Sequence, residues 1–430
     1  MEETEGRVPP VNLLFPLIAV LSPGFGGDEK APGPIDWPCL YGADDGVVRE
    51  QGLKLDWGEG GPPELWRMDV GVGYSQPVIA GGKLVLFHRK GDREIVVCLD
   101  AKSREQLWEF GYPSAYVDRY GYSGGPRCTP ILSGKRVYTL GAEGKLHAID
   151  FSKGAKLWAR DIVADYAVEQ GFFGVGATPL LEGDRLIVNV GGKTTDAGIV
   201  AFATGDGKTL WKATPHGASY ATPKAATIHG QRHVFVLTEG GLVDLDPANG
   251  NVRWKVPFRS RLYESVNATS PLVVGDIVMV SATYGTGALA VKVNADGTYK
   301  ELWKARVPDS HFSNLTAVGN DVFGFMGRHE GDSELFCCDL ATGKIRWKVE
   351  TPLGRGQLLC VGDKFLAWGE RGCLGVIEAN PKQFKLATTT NPDPRHGLLR
   401  YPTWTPPVVY DGRLYLRNET TLLCLDLRTK

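Results

Sequence analysis

An all-β fold, an eight-bladed β-propeller of four-stranded antiparallel blades, is predicted by three observations. A segment ending in Trp recurs in register along the chain, a tight hairpin precedes each copy, and the two ends of the array are complementary parts of one unit. The composition agrees: 430 residues, 43% hydrophobic, with 55 Gly, 11 Trp and only 4 Met, favour short strands and tight turns over long helices.

Taken in order, the first element is the apolar run "VNLLFPLIAVL", residues 11–21. It is too short to span a bilayer and suits the apolar part of an export signal, although Glu2, Glu3 and Glu5 stand before it where positive charge is usual. Residues 1–27 are therefore read as a leader, with processing near Gly26 or Gly27, residues 28–63 as an N-terminal extension, and residues 64–430 as the propeller. A periplasmic or secreted location is expected.

The repeat comes next. "CLDAKSREQLW" ends at Trp108, "AIDFSKGAKLW" at Trp158, "AFATGDGKTLW" at Trp211, "DLDPANGNVRW" at Trp254 and "CCDLATGKIRW" at Trp347. "KVNADGTYKELW" ends at Trp303 with one inserted residue, and "VIEANPKQFKL" puts Leu386 in place of the Trp. Successive copies stand roughly 40–50 residues apart, the length of a propeller blade. Ahead of each lies a hairpin such as "GGKLVLF", "SGKRVYTL" or "VGDIVMVS", eight in all, whose turns need positive φ. Pro77, Pro130, Pro179, Pro223, Pro271 and Pro407 precede the first strand, where a missing N–H breaks no ladder bond.

The last copy stops at "CLDLRTK", without its Trp strand, while "ELWRMDV" (64–70) stands alone before the first. This N-terminal strand is expected to complete the last blade beside Cys424 and so remove an open sheet edge. The recurring tryptophans, Trp66 included, are read as core that docks on the neighbouring blade, near the glycine of the turn preceding each.

The same register disposes of the adjacent cysteines. Cys337 stands where other copies have Cys98, Ala148 and Ala201, and Cys338 where they have Leu99, Ile149 and Phe202. Both are expected unbridged on opposite faces of one strand, as small hydrophobes. The remaining cysteines show neither C-x-x-C spacing nor a paired His, so no metal site is expected.

"AIDFSKGAKLW", "DLDPANGNVRW" and "CCDLATGKIRW" resemble the PQQ-like (quinoprotein-type) propeller repeat, A-x-D-x-x-T-G-x-x-x-W, and the resemblance runs from Glu64 to Lys430. It implies kinship with exported PQQ-like repeat proteins, whose loops "WPCLYGADDG" and "YGYSGGPRCTP" resemble, and with the scaffold lipoprotein of the outer-membrane β-barrel assembly machinery. It also admits PQQ- and calcium-dependent alcohol or sugar dehydrogenases. No quinone or calcium ligand carries over by position, and the adjacent cysteines fall in a strand rather than in a loop over a quinone.

Function is expected on the face that carries the loops leading into each blade's first strand, because these are long and rich in aromatic and charged residues. Close to its channel stand Arg127, Tyr220, Asn267, His311, Phe312, Arg355 and Trp404, with Arg119 and Tyr120 further out. These nine are the candidate binding residues, through Arg forks and aromatic faces. As loop residues, Arg127 and Trp404 are expected to add little to stability. No catalytic residue is assigned: Glu264, Asn267 and Asp309 could offer oxygen to calcium but form no motif.

The expected activity is thus that of a non-catalytic binding or scaffold propeller that takes a protein or small ligand, acts as a monomer and needs no cofactor. The alternative is a PQQ- and calcium-dependent dehydrogenase. Lys plus Arg (48) balance Asp plus Glu (49), which argues against a nucleic-acid partner.

Overall fold

In the computed structural model, which describes residues 34–428 except 263, 264 and 392, eight antiparallel sheets of four repeat-derived strands form a ring. The leader, residues 1–27, lies outside the described residues, as does Glu264. Blade 1 comprises Val78–Ala80, Lys83–Lys90, Arg93–Asp100 and Gln106–Pro113. Blades 2 to 7 begin at Ile131, Leu180, Lys224, Leu272, Thr316 and Gly356, those of blades 2 to 5 one residue after their proline. Blade 8 consists of Val408–Tyr410, Arg413–Arg417 and Thr421–Asp426, and its outer strand is Glu64–Asp69. Trp66 pairs with Cys424, as the incomplete ends of the array require.

Two devices join blade to blade. At the perimeter, each Trp of the outer strand docks on the next blade. Trp108 is buried, its Nε1 donates to the Phe151 carbonyl at 2.9 Å, and its ring covers Gly154 of blade 2. Gly154 has φ +68°, and a Cβ there would lie 2.7 Å from that ring, so the turn needs glycine twice over. Trp158, Trp211 and Trp303 repeat the arrangement over Gly207, Gly250 and Gly343. The glycine thus belongs to the following blade's last turn, not to the turn preceding the Trp in its own blade, because the outer strand faces the neighbour. In the same turns the repeat aspartate caps the backbone: Asp100 Oδ1 accepts from the N–H groups of Lys102 and Ser103.

At the hub, the first strands of blades 1 and 2 touch, as do those of successive blades from 3 to 7. At five of the seams the residue at the strand entrance offers a side-chain oxygen to the preceding blade. Gln76 N–H donates to Thr129 Oγ1, Thr129 N–H to Thr178 Oγ1, Thr222 N–H to Ser270 Oγ, and Ser270 N–H to Asn314 Oδ1. Asn314 N–H continues to Gln357 Oε1, and Gln76 Nε2 closes the circle on the carbonyls of Pro406 and Pro407 in blade 8.

The segment ahead of the propeller is built into this hub. Trp37 bridges Ile79 of blade 1, the Pro38 carbonyl accepts from Leu132 N–H of blade 2, and Asp45 pairs with Lys224 of blade 4. Val47–Val48 then adds a fifth, parallel strand inside blade 7, and Glu50 accepts from two N–H groups of the blade 8 turn. Trp37, Tyr41, Val48 and Trp57 are buried in one core cluster with blades 1, 7 and 8.

All eight cysteines are free. Cys337 belongs to the core between blades 6 and 7 and Cys338 to the core between blades 5 and 6, the opposite-face arrangement that the register requires.

The docked tryptophans differ in one respect that can be measured. Trp211 Nε1 donates to the Pro247 carbonyl at 3.0 Å, whereas Trp254 Nε1, equally buried, meets no acceptor among the described residues. Trp211→Phe is expected to cost about 1 kcal/mol more than Trp254→Phe, the net value of one hydrogen bond, read as the larger drop in urea midpoint. Equal losses would contradict that assignment.

Candidate binding site at the channel mouth

The loops leading into the first strands and those joining second to third strands converge on one face, where they enclose a cavity of about 570 Å³. Its floor includes Leu40 and Tyr41 of the N-terminal segment, tied by Tyr41 OH to Gln357 and by Tyr41 N–H to Gln76 Oε1. The channel is therefore floored by its own chain below this mouth.

Of the nine residues singled out from sequence, Tyr120, Arg127, Tyr220, His311, Phe312, Arg355 and Trp404 line this cavity. Arg119 and Asn267 do not; they border a neighbouring depression of about 770 Å³ among the loops of blades 1 to 5. Asn267 is buried, and its Nδ2 donates to the carbonyls of Thr238 and Phe258, so it organises loops.

Aromatic rings form most of the wall. Trp404 touches Tyr74, Tyr122, Phe312 and Tyr401, with centroids 5.0–6.1 Å apart. Tyr122 continues to Phe173, and Phe173 to Tyr220, whose hydroxyl accepts from Phe173 N–H at 2.8 Å.

The arginines are held within the protein. Arg355 places Nε on Glu370 Oε1 at 2.9 Å and Nη2 on Glu370 Oε2 at 2.7 Å, while its plane lies 5.0 Å over the Phe312 ring. Trp404 Nε1 donates to the same carboxylate at 3.1 Å. Arg127 pairs with Asp118 at 2.6 Å, donates to the Phe173 carbonyl and stands over the Phe173 ring. The expectation that Arg127 and Trp404 add little to stability is therefore corrected: both satisfy carboxylates taken out of water.

His311 links Tyr284, on the second-to-third loop of blade 5, to Arg355, on the loop leading into blade 7. Burial, then the nearby Arg355, lowers its pKa from 6.5 to about 3, so the ring is neutral. Arg355 Nη1 donates to His311 Nδ1 at 3.0 Å, which places the ring proton on Nε2, facing Tyr284 OH at 3.0 Å. Tyr284 then carries Arg328 over its ring at 4.4 Å.

Sequence reasoning missed Tyr41, Tyr122, Phe173, Tyr284, Arg328 and Glu370. Tyr122 and Phe173 lie in loops that lead into first strands but far from a strand start. Tyr284, Arg328 and Glu370 sit on second-to-third strand connections, which the blade topology puts on this same face.

Residues 49–158 and 92–349 match the family model described as outer membrane protein assembly factor BamB. The chain belongs to this family of PQQ-like propellers. The BamB of Burkholderia pseudomallei is 26% identical over 240 residues, 54% of this chain and 55% of that protein. That of Moranella endobia is 22% identical over 233 residues, 51% of this chain and 56% of that one. The chain thus matches about half the length of these curated relatives. The crystal structure of BamB from Moraxella catarrhalis superposes with a TM-score of 0.60 at 18% identity, covering 85% of this chain and 98% of that one. The quinohemoprotein alcohol dehydrogenase of Comamonas testosteroni gives 0.61 at 12% identity, covering 92% and 81%. At such identities these two superpositions speak for the fold alone.

The Arg127 pair supplies a test of the site's construction. Arg127→Ala leaves Asp118, whose side chain is 2% exposed, without its cation and is expected to cost about 3–5 kcal/mol. The double variant Asp118→Asn/Arg127→Gln is expected to recover most of that in thermal denaturation, and a double variant as unstable as the single one would contradict it.

Proposed function

We propose that this chain is a non-catalytic scaffold propeller that works outside the cytoplasm and holds a protein partner at the channel mouth. The single observation that carries the proposal is the make-up of the mouth in a chain of this family: a floored, aromatic cavity whose arginines Arg127 and Arg355 are each already engaged with a carboxylate. Aromatic and Arg side chains around a partly open recess suit protein recognition. The relatives named as factors of outer membrane protein assembly support a role of that kind.

The residues present fit calcium poorly. Calcium needs six to eight hard oxygen ligands. Glu370 is taken by Arg355 and Trp404, and Asp118 by Arg127. Among the described residues no group of three or more His, Cys, Asp or Glu could hold a metal ion. A role outside the cytoplasm further implies processing near Gly26 or Gly27.

Photo-crosslinking in cells tests the reading. A benzoylphenylalanine at Tyr122 or Tyr401 is expected to give a discrete protein adduct, and one at Lys135, in the hairpin turn of the other face, to give none. Adducts from Lys135 alone, or stoichiometric uptake of PQQ and calcium with dye-linked alcohol oxidation, would overturn it.

A further inference from the structure

The mouth has two unlike walls. Loops of blades 1 to 4 supply Tyr122, Phe173 and Tyr220 in unbroken ring contact. Across the ring, loops of blades 5 to 7 supply Tyr284, His311, Arg328 and Arg355. Two of the three arginines of the cavity have their carboxylates: Arg127 holds Asp118, and Arg355 holds Glu370. Arg328 differs. It is exposed, stacks on Tyr284, and makes no ion pair with any carboxylate among the described residues.

The phenol beneath it adds a donor. His311 is neutral and carries its proton on Nε2, so Tyr284 OH accepts from the imidazole and its own proton remains to be given away. A guanidinium and a hydroxyl proton side by side make a carboxylate receptor.

Three observations give the shape of the occupant. The cavity is floored by Leu40 and Tyr41, so side chains reach in but a folded element does not. The rings around Trp404 are tilted to it by 51–81°, so the wall offers contoured recesses instead of a flat slot for a fused planar ligand. The chain's net charge of -1 gives no basic track for a polyanion. In an extended peptide, adjacent side chains point to opposite sides, which suits a ring on the Tyr122–Phe173 side and a carboxylate on the Arg328–Tyr284 side.

We propose that the mouth binds an extended segment of its protein partner in which an aromatic residue stands next to an acidic one, the ring against Tyr122 and Phe173 and the carboxylate on Arg328 and Tyr284. This rests on the reading of the mouth as a protein-binding site and names the chemistry it selects.

The test titrates the whole chain with the blocked peptide Ac-Gly-Gly-Phe-Glu-Gly-Gly-NH2 and its Phe-Gln and Ala-Glu analogues by calorimetry. The Phe-Glu peptide is expected to bind at 1:1 and roughly tenfold or more tighter than either analogue, the loss of one charge-assisted contact or one ring. Arg328→Gln is expected to bring Phe-Glu down to the Phe-Gln level. Equal binding of Phe-Glu and Phe-Gln, or indifference to Arg328→Gln, would overturn the assignment. Equal affinity for free 3-phenylpropionate would also overturn it, in favour of a small aromatic acid. If no peptide binds while crosslinks from Tyr122 persist, this inference falls and the protein-binding reading stands; if the crosslinks vanish too, both fall.

Discussion

The mouth depends on eight blades being held in one register, and hydrogen bonds at the hub set that register. The residue at the entrance of each first strand is Gln76, Thr129, Thr178, Thr222, Ser270, Asn314 or Gln357 in blades 1 to 7; Thr129, Thr178, Ser270, Asn314 and Gln357 present an oxygen to the main chain of the blade before, and Gln76 donates its Nε2 to the carbonyls of Pro406 and Pro407 in blade 8. A proline follows in five of these seven positions, which fixes φ at the strand entrance and leaves no N–H to compete. These bonds lie immediately beneath the loops that carry the aromatic wall. A shift at one seam would therefore displace Tyr220 against Phe173, or Trp404 against Glu370, which are contributed by different blades.

Much of this was legible because it repeats. Trp108, Trp158 and Trp211 recur with their glycine turns since these seams share one geometric need, and the lone strand around Trp66 announces the closure. The same logic read Cys337 and Cys338 as strand residues. What does not repeat was harder. The segment from Trp37 to Trp57 has no internal period, and nothing in its composition says that it floors the channel, although its tryptophans and tyrosine were there to be buried. The hub oxygens were visible as Thr or Ser before proline but carried no chemistry until their partners were known. Arg127 and Trp404 could be placed at the mouth from sequence, yet their carboxylates, Asp118 and Glu370, are neighbours only in three dimensions.

The electrostatics of the cavity follow from the burial of its ion pairs. A guanidinium against aromatic rings loses water, and Asp118 and Glu370 restore the balance for Arg127 and Arg355 with short, charge-assisted bonds. Their placement keeps the wall rigid and nearly neutral, with His311 uncharged between Arg355 and Tyr284. Specificity then falls to Arg328, which sits nearer solvent and retains its charge for something else. This is the division of labour expected of a preorganised recognition surface, where fixed residues define the shape and a few available ones choose the partner.

Amide hydrogen exchange with and without the bound partner tests most directly whether this face does the work. On this account the blade strands exchange slowly in both states, and binding adds protection in residues 115–127, 169–176, 306–312 and 397–404 while the hairpin turns at 134–136, 183–185 and 275–277 on the other face are unchanged. Protection confined to those turns or to the outer strands would contradict it.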